Sequence, residues 1–226
     1  MNKTKVDYVF LIPGNNFSKE FLLSWTETVT YLMSNNFSFF YFVKYMPIVS
    51  SIRNYLLGTA ITDQSQTFLS PPGSTKVFSD ILECKKVIFI DSDMVWSLES
   101  MKKLLNSEHD FISAPYLLGD GKTVSVKKSG EDHFMNSKDL KLQKNVFEID
   151  SSGLGFFSCS FDSLKNIEYP WFSTEEISKN INGGIHQGHI GEDVYFCNKV
   201  KSYGNKIFTD PSIIVGHQKN KTSYIE

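Results

Sequence analysis

Residues 87–90, Val-Ile-Phe-Ile, form an unbroken apolar run that stops at Asp91-Ser92-Asp93. A strand apolar on consecutive positions has both faces buried, which requires a sheet covered by helices on each side. The preceding residues supply matching pieces. Val6–Ile12 is a second compact apolar run, broken by Pro13-Gly14-Asn15-Asn16, and reads as a strand entering a turn. Residues 37–45 (FSFFYFVKY) read as a strand dense in aromatics. Between these strands, Phe21, Leu22, Trp25, Val29, Leu32 and Met33 recur at helical spacing behind Ser18, a suitable N-cap. Residues 48–58 (IVSSIRNYLLG) predict a short helix stopping at Gly58, and residues 74–85 a further helix before the 87–91 strand. Alternating strands and helices predict an α/β fold with a mixed, mainly parallel central sheet flanked by helices.

The second half has a different texture. Residues 119–145 are polar and lysine-rich, consistent with a hairpin excursion or a mobile loop. Residues 146–160 return to strand character around Gly153-Leu154-Gly155. Residues 191–204 (GEDVYFCNKVKSYG) predict a helix with Val194, Cys197 and Val200 facing inward and Gly204 as its stop. Residues 206–210 and 212–217 read as final short strands. With no repeat and no linker, the expectation is one domain over 1–226, about 1–95 binding a nucleotide and about 96–226 an acceptor.

Composition removes several classes. A formal net charge of -2 gives no basic face for phosphate neutralisation, so a nucleic-acid partner is not expected. Cys84, Cys159 and Cys197 are widely spaced, which suggests neither a zinc knuckle nor a disulfide framework and fits a reduced, cytoplasmic compartment. The apolar start runs into Pro-Gly-Asn-Asn without a cleavage site, so it reads as a strand, and no stretch is long enough to span a membrane.

In such sheets ligands bind at the carboxyl ends of strands, where both 13–16 and 91–93 fall. Two carboxylates one residue apart on an extended strand end point the same way and can share a divalent cation; the plainer reading is two solvated turn acids. His217 is a candidate third ligand, since imidazole, carboxylates and phosphate oxygens together suit Mn²⁺, although a lone histidine after a strand is commonly structural. Glu192 and Asp193 open a helix, where carboxylates are favoured by the dipole in any case. The same tripeptide at Gly130-Glu131-Asp132 has no helix behind it, so only the later copy is placed to present a base. Arg53 is the chain's one arginine. Its planar fork, beside Asn54, suits a diphosphate or the Asp91/Asp93 pair. The glycines at 153 and 155 allow close backbone approach. Trp171 is a core residue or a stacking platform for a sugar.

Taken in order, PGNN, SIRN, VIFIDSDM, GLG, YPWF, GEDVYFCNKVKSYG and VGH resemble the nucleotide-sugar-dependent glycosyltransferases of the GT-A fold, in the compact form found in bacteria, phages and large DNA viruses. The resemblance runs from about Val6 to His217. It implies a Rossmann-like nucleotide half and a metal-dependent transfer from a nucleoside-diphosphate sugar, a UDP-sugar being expected, to a hydroxyl of a glycan or glycoconjugate. On this resemblance Asp91, Asp93 and His217 hold Mn²⁺ or Mg²⁺ against the donor diphosphate. Pro13, Gly14, Asn15, Arg53, Asn54 and Ser92 bind the nucleotide. Glu192, Ser152, Gly153, Gly155 and Trp171 bind acceptor or sugar, and Asp193 is the base of an inverting reaction. The alternatives are a non-catalytic nucleotide-sugar binder, or a nucleotidyltransferase or phosphatase built on the Asp91/Asp93 metal site. Against a nucleotidyltransferase, no glycine-rich basic triphosphate loop opens the chain; against a phosphatase, about ninety residues precede the aspartates.

Overall fold

The computed structural model describes residues 3–58, 75–181 and 184–218. In chain order the elements begin with β1 (Thr4–Pro13), α1 (Lys19–Ser34), β2 (Phe39–Lys44), α2 (Val49–Gly58), β3 (Leu82–Ile90) and β4 (Met94–Trp96). They continue with α3 (Leu98–Asn106), β5 (Phe111–Ser113), β6 (Val126–Lys128), α4 (Ser137–Leu142), β7 (Phe147–Ser152) and β8 (Phe156–Ser160). The remainder are α5 (Phe161–Leu164), β9 (Glu175–Ile181), β10 (Gly184–Ile190), α6 (Glu192–Ser202), β11 (Ile207–Thr209) and β12 (Val215–His217).

One eight-stranded sheet, in the order β2-β1-β3-β8-β5-β11-β7-β6, takes strands from both halves of the sequence. The ladders β1–β2, β1–β3 and β5–β11 are parallel. The ladders β3–β8, β5–β8, β7–β11 and β6–β7 are antiparallel. Followed across these ladders, β7 and β8 run against the other six strands, so the expected mixed sheet with one dominant strand direction is what the chain forms.

The two-residue period of the central strands divides the core. Val9, Leu11, Val87 and Phe89 face one side, with Ile52, Leu56 and Leu57 of α2, Phe161 and Leu164 of α5, and Phe196, Cys197 and Val200 of α6. Tyr8, Phe10, Ile12, Ile88 and Ile90 face the other, with Phe21 and Leu32 of α1 and Met101, Leu104 and Leu105 of α3. Alternate side chains on a strand point to opposite faces, and here both faces find an apolar layer. Each fully buried apolar side chain of this size contributes roughly 1.5–3 kcal/mol.

Several local expectations change. Over 75–85 the chain makes only a tight turn at Val77–Asp80, with Phe78, Ser79 and Asp80 all at positive φ, and then enters β3 at Leu82. On α1, Leu22 and Met33 are exposed while Ser24 and Thr28 are buried. Ser24 and Thr28 face inward because Trp96 needs polar partners there. Ser24 Oγ donates to the Trp96 carbonyl at 2.7 Å, and the indole N–H donates to Thr28 Oγ1 at 2.9 Å. On α6 Phe196, not Val194, is buried with Cys197 and Val200. The excursion at 119–145 is folded: Leu117 bridges Val124, Thr123 bridges Asn136, and β6 and α4 follow. No helix among the described residues is long and apolar enough to cross a membrane.

Candidate functional site

β1 and β3 end side by side, and β8 begins where β3 ends: the Asp91 N–H donates to the Gly155 carbonyl at 2.9 Å. The chain does not stay extended through Asp91-Ser92-Asp93. The Met94 N–H donates to the Asp91 carbonyl at 3.1 Å, which closes a turn. The expectation that both carboxylates share one side of an extended strand therefore fails, and the two engage different partners.

Asp91 faces Arg53. Arg53 Nη2 donates to both carboxylate oxygens, at 2.8 and 2.9 Å. The arginine projects from α2, is 3% exposed, and has Glu192 Oε1 at 3.7 Å from Nη1. Its Nε and Nη1 are buried without a hydrogen-bond partner. The solitary arginine thus joins α2, the end of β3 and the start of α6. Burial disfavours its charged form, but the Asp91 and Glu192 carboxylates outweigh this and raise its pKa.

Asp93 faces His217. Two short strands make this contact: β12 pairs antiparallel with β4, His217 opposite Met94, and the Gln218 N–H donates to the Asp93 carbonyl at 2.7 Å. Nε2 of His217 lies 3.1 Å from Asp93 Oδ2, and Nδ1 lies 2.8 Å from the Leu117 carbonyl. A carbonyl can only accept, so Nδ1 carries a proton. In the neutral ring Nε2 then presents a lone pair to a carboxylate, an arrangement that calls for a proton or a cation between them. That donor pair suits a divalent ion such as Mn²⁺. Among the described residues no group of three acidic, histidine or cysteine side chains is assembled for a metal, because Asp91 is turned to Arg53.

A cleft of about 330 Å³ opens over these strand ends, lined by Pro13, Gly14, Asn15, Asn16, Tyr45, Met46, Val49 and Ile52 together with Asp91, Ser92 and Asp93. Gly14 sits at φ +153, and a Cβ there would lie 2.4 Å from the Ser92 Cβ. Only glycine permits the two strand ends to approach this closely.

At the start of α6, Glu192 and Asp193 are partly exposed. Burial raises the Glu192 pKa, with Arg53 opposing. Asp193 Oδ1 accepts the Val194 N–H at 2.8 Å. Neither residue lines the cleft; Arg53 connects them to it.

Three of the expected ligand contacts have side chains engaged inside the fold instead. Asn54 does not face a nucleotide: its Oδ1 accepts from the Trp171 and Phe172 N–H groups at 3.0 and 3.1 Å, and its Nδ2 donates to the Phe172 carbonyl at 2.6 Å. Trp171 is not a stacking platform, because it is fully buried with its indole N–H on the Ile167 carbonyl. Phe172 stacks on Phe196 and meets Phe89 edge-on. Ser152 is also buried, its hydroxyl spent on the Gly153 carbonyl.

Sequence reasoning missed Tyr116. Its ring lies edge-to-face on His217 with centroids 5.0 Å apart, and its Oη accepts the Gly155 N–H at 3.3 Å. A Cβ on Gly153 would lie 2.1 Å from that Oη, and one on Gly155 3.0 Å from it. Neither glycine has positive φ, so their smallness here is steric. The paired glycines were the signal that something large packs against them.

No family model matches the sequence, and no curated protein matches it. Among solved structures, A197 from STIV is similar at 17% identity and a TM-score of 0.48, covering 97% of this chain and 98% of its own. The catalytic domain of Drosophila beta1,4-galactosyltransferase 7, in complex with xylobiose, is similar at 14% identity and a TM-score of 0.46, over 93% of this chain and 66% of that one. A mutant of the same Drosophila enzyme, in complex with manganese, UDP-Gal and xylobiose, gives 12% identity and a TM-score of 0.48, over 96% and 71%. At these TM-scores the likenesses carry no inference about the activity of this chain.

Proposed function

We propose that this protein is a glycosyltransferase of the GT-A type that moves a sugar from a nucleoside-diphosphate donor, a UDP-sugar, to an acceptor hydroxyl with inversion. The observation that carries the reading is the pairing of Asp93, which lines the cleft, with Nε2 of His217, while Arg53 links Asp91 of the same cleft to Glu192 at the start of α6. The Asp93 and His217 donors would hold Mn²⁺ or Mg²⁺, with Asp91 contributing if it parts from Arg53; a bound cation would neutralise charge on the departing diphosphate. Pro13, Gly14 and Asn15 line the nucleoside side of the cleft, and Ser92 lies against Gly14 between the two strand ends. Arg53 fixes Asp91 and Glu192 relative to one another. Asp193 takes the proton of the acceptor hydroxyl as it attacks, and Glu192 hydrogen-bonds the acceptor. Gly153 and Gly155 act through Tyr116, whose hydroxyl occupies the space they leave.

A phosphatase would use Asp91 as a nucleophile. Both oxygens of that carboxylate accept from a guanidinium, which lowers its nucleophilicity and disfavours that chemistry. The deciding experiment screens nucleotides by thermal shift with and without Mn²⁺, then follows the best nucleotide-sugar by NMR for transfer and anomeric outcome. Asp193→Asn should retain donor binding and lose about 10²–10⁴-fold in turnover, the usual weight of a general base. Asp132→Asn, in the other Gly-Glu-Asp copy, should change little. Retention of configuration, or nucleotide affinity equal in Mn²⁺ and in chelator, would contradict the reading.

A further inference from the structure

Tyr116 is fastened from every side. Its backbone N–H donates to Ser125 Oγ at 3.1 Å, and its carbonyl accepts the Ser125 N–H at 2.8 Å. Its hydroxyl enters the space left by two glycines, where it accepts from the Gly155 N–H. Burial, and then the Asp91 carboxylate, push the phenol pKa well above its ordinary value, so the group stays neutral. With backbone and hydroxyl fixed, the ring edge has one position, and it meets the His217 imidazole there. The next residue, Leu117, supplies the carbonyl that faces Nδ1 of the same imidazole. The Tyr116-Leu117 dipeptide thus constrains both the plane and the tautomer of His217. Ser125 belongs to the 119–145 excursion, so that segment helps to hold the histidine in place.

We propose that Tyr116 is a positioning residue for the cation site: its ring holds His217 with Nε2 directed at Asp93, while Leu117 keeps the proton on Nδ1. The inference rests on the proposed cation site at Asp93 and His217. Groups that orient a metal-binding histidine typically change metal affinity by about 10–100-fold when removed.

The test measures the Mn²⁺ concentration that gives half-maximal UDP binding by calorimetry, in wild type and two variants. Tyr116→Leu, which removes the ring, should raise that concentration at least about 10-fold. Tyr116→Phe, which keeps the ring and loses only the hydroxyl, should stay much closer to wild type. A Tyr116→Leu value equal to wild type overturns the inference, and so does a Tyr116→Phe value as weak as Tyr116→Leu. If wild type shows no cation-dependent UDP binding, the transferase reading fails instead. Should Tyr116→Leu not fold, ¹⁵N-labelled histidine in the wild type decides. A proton on Nδ1 with Nε2 alone perturbed by Zn²⁺ supports the proposal, and a proton on Nε2 in the neutral ring overturns it.

Discussion

Arg53 holds both Asp91 oxygens through Nη2, yet the two residues sit in unequal surroundings, and the inequality can be measured. The arginine side chain is 3% exposed and the aspartate 28%. Asp91→Ala strands a buried guanidinium that cannot shed its proton, with Glu192 at 3.7 Å as its remaining ion-pair partner. Breaking a buried pair from that side costs about 3–5 kcal/mol. Arg53→Met removes the buried charge together with its desolvation penalty, and leaves Asp91 and Glu192 to be hydrated through the surface they already share with solvent. Only the net worth of the charge-assisted bonds is lost, about 1.5–3 kcal/mol. The double variant should resemble Arg53→Met, since no charge is then left stranded. The cycle should therefore show a coupling of several kcal/mol, well beyond the roughly 0.3–0.5 kcal/mol scatter of independent sites. Urea unfolding followed by tryptophan fluorescence reports all four proteins, with m-values compared to confirm that the same transition is read. If Asp91→Ala proves no less stable than Arg53→Met, the guanidinium has found water or another acceptor, and the account of a stranded charge is wrong.

Asn54→Ala should lower stability by about 2–4 kcal/mol in calorimetry, because it orphans the buried N–H groups of Trp171 and Phe172; nucleotide affinity of the folded variant should be unchanged. Gly153→Ala places a Cβ 2.1 Å from the Tyr116 hydroxyl and should cost about 1–3 kcal/mol in urea unfolding, with part regained on adding Tyr116→Phe. Asp7 is held below its ordinary pKa, chiefly by its hydrogen bond to Lys85, so its stabilisation is complete above the unfolded-state value and is lost as pH falls through the lowered folded value. Asp7→Asn should thus be about 1 kcal/mol less stable than wild type at neutral pH in urea unfolding, and the two proteins should converge in strong acid.

The central strands were legible because Val9 to Ile12 and Val87 to Ile90 are apolar at every position, and only a sheet covered on both faces buries such runs. Gly204 marked a helix end because it takes a positive φ just past α6, where glycine bears no steric penalty. The expected helix at 74–85 misled because its apolar spacing allows one, while the described course over 75–85 turns on three successive positive φ values at residues that rarely adopt them. The turn at 91–94 was hidden for a different reason. Whether Asp-Ser-Asp stays extended depends on the Gly155 carbonyl and on Arg53, both far away in sequence. Asn54 and Trp171 were read through a resemblance that places them near ligands, but their hydrogen bonds go to each other's neighbourhood and leave nothing facing the cleft. Tyr116 lay in a plain Ala-Pro-Tyr-Leu stretch, and only the spacing of Gly153 and Gly155 hinted at its size.

The ladder of β4 with β12 has a consequence for synthesis. Asp93 leaves the ribosome 124 residues before His217, and the two meet through strands of three residues each that have little stability apart from the sheet beneath them. Loop closure over so long a separation is not rewarded until the intervening strands and helices are in place. A nascent chain therefore cannot complete the Asp93–His217 pair early, however well its first sheet strands have formed. The pair therefore depends on a late-made, three-residue strand, and loosening that frees β12 should break it while the main sheet can persist.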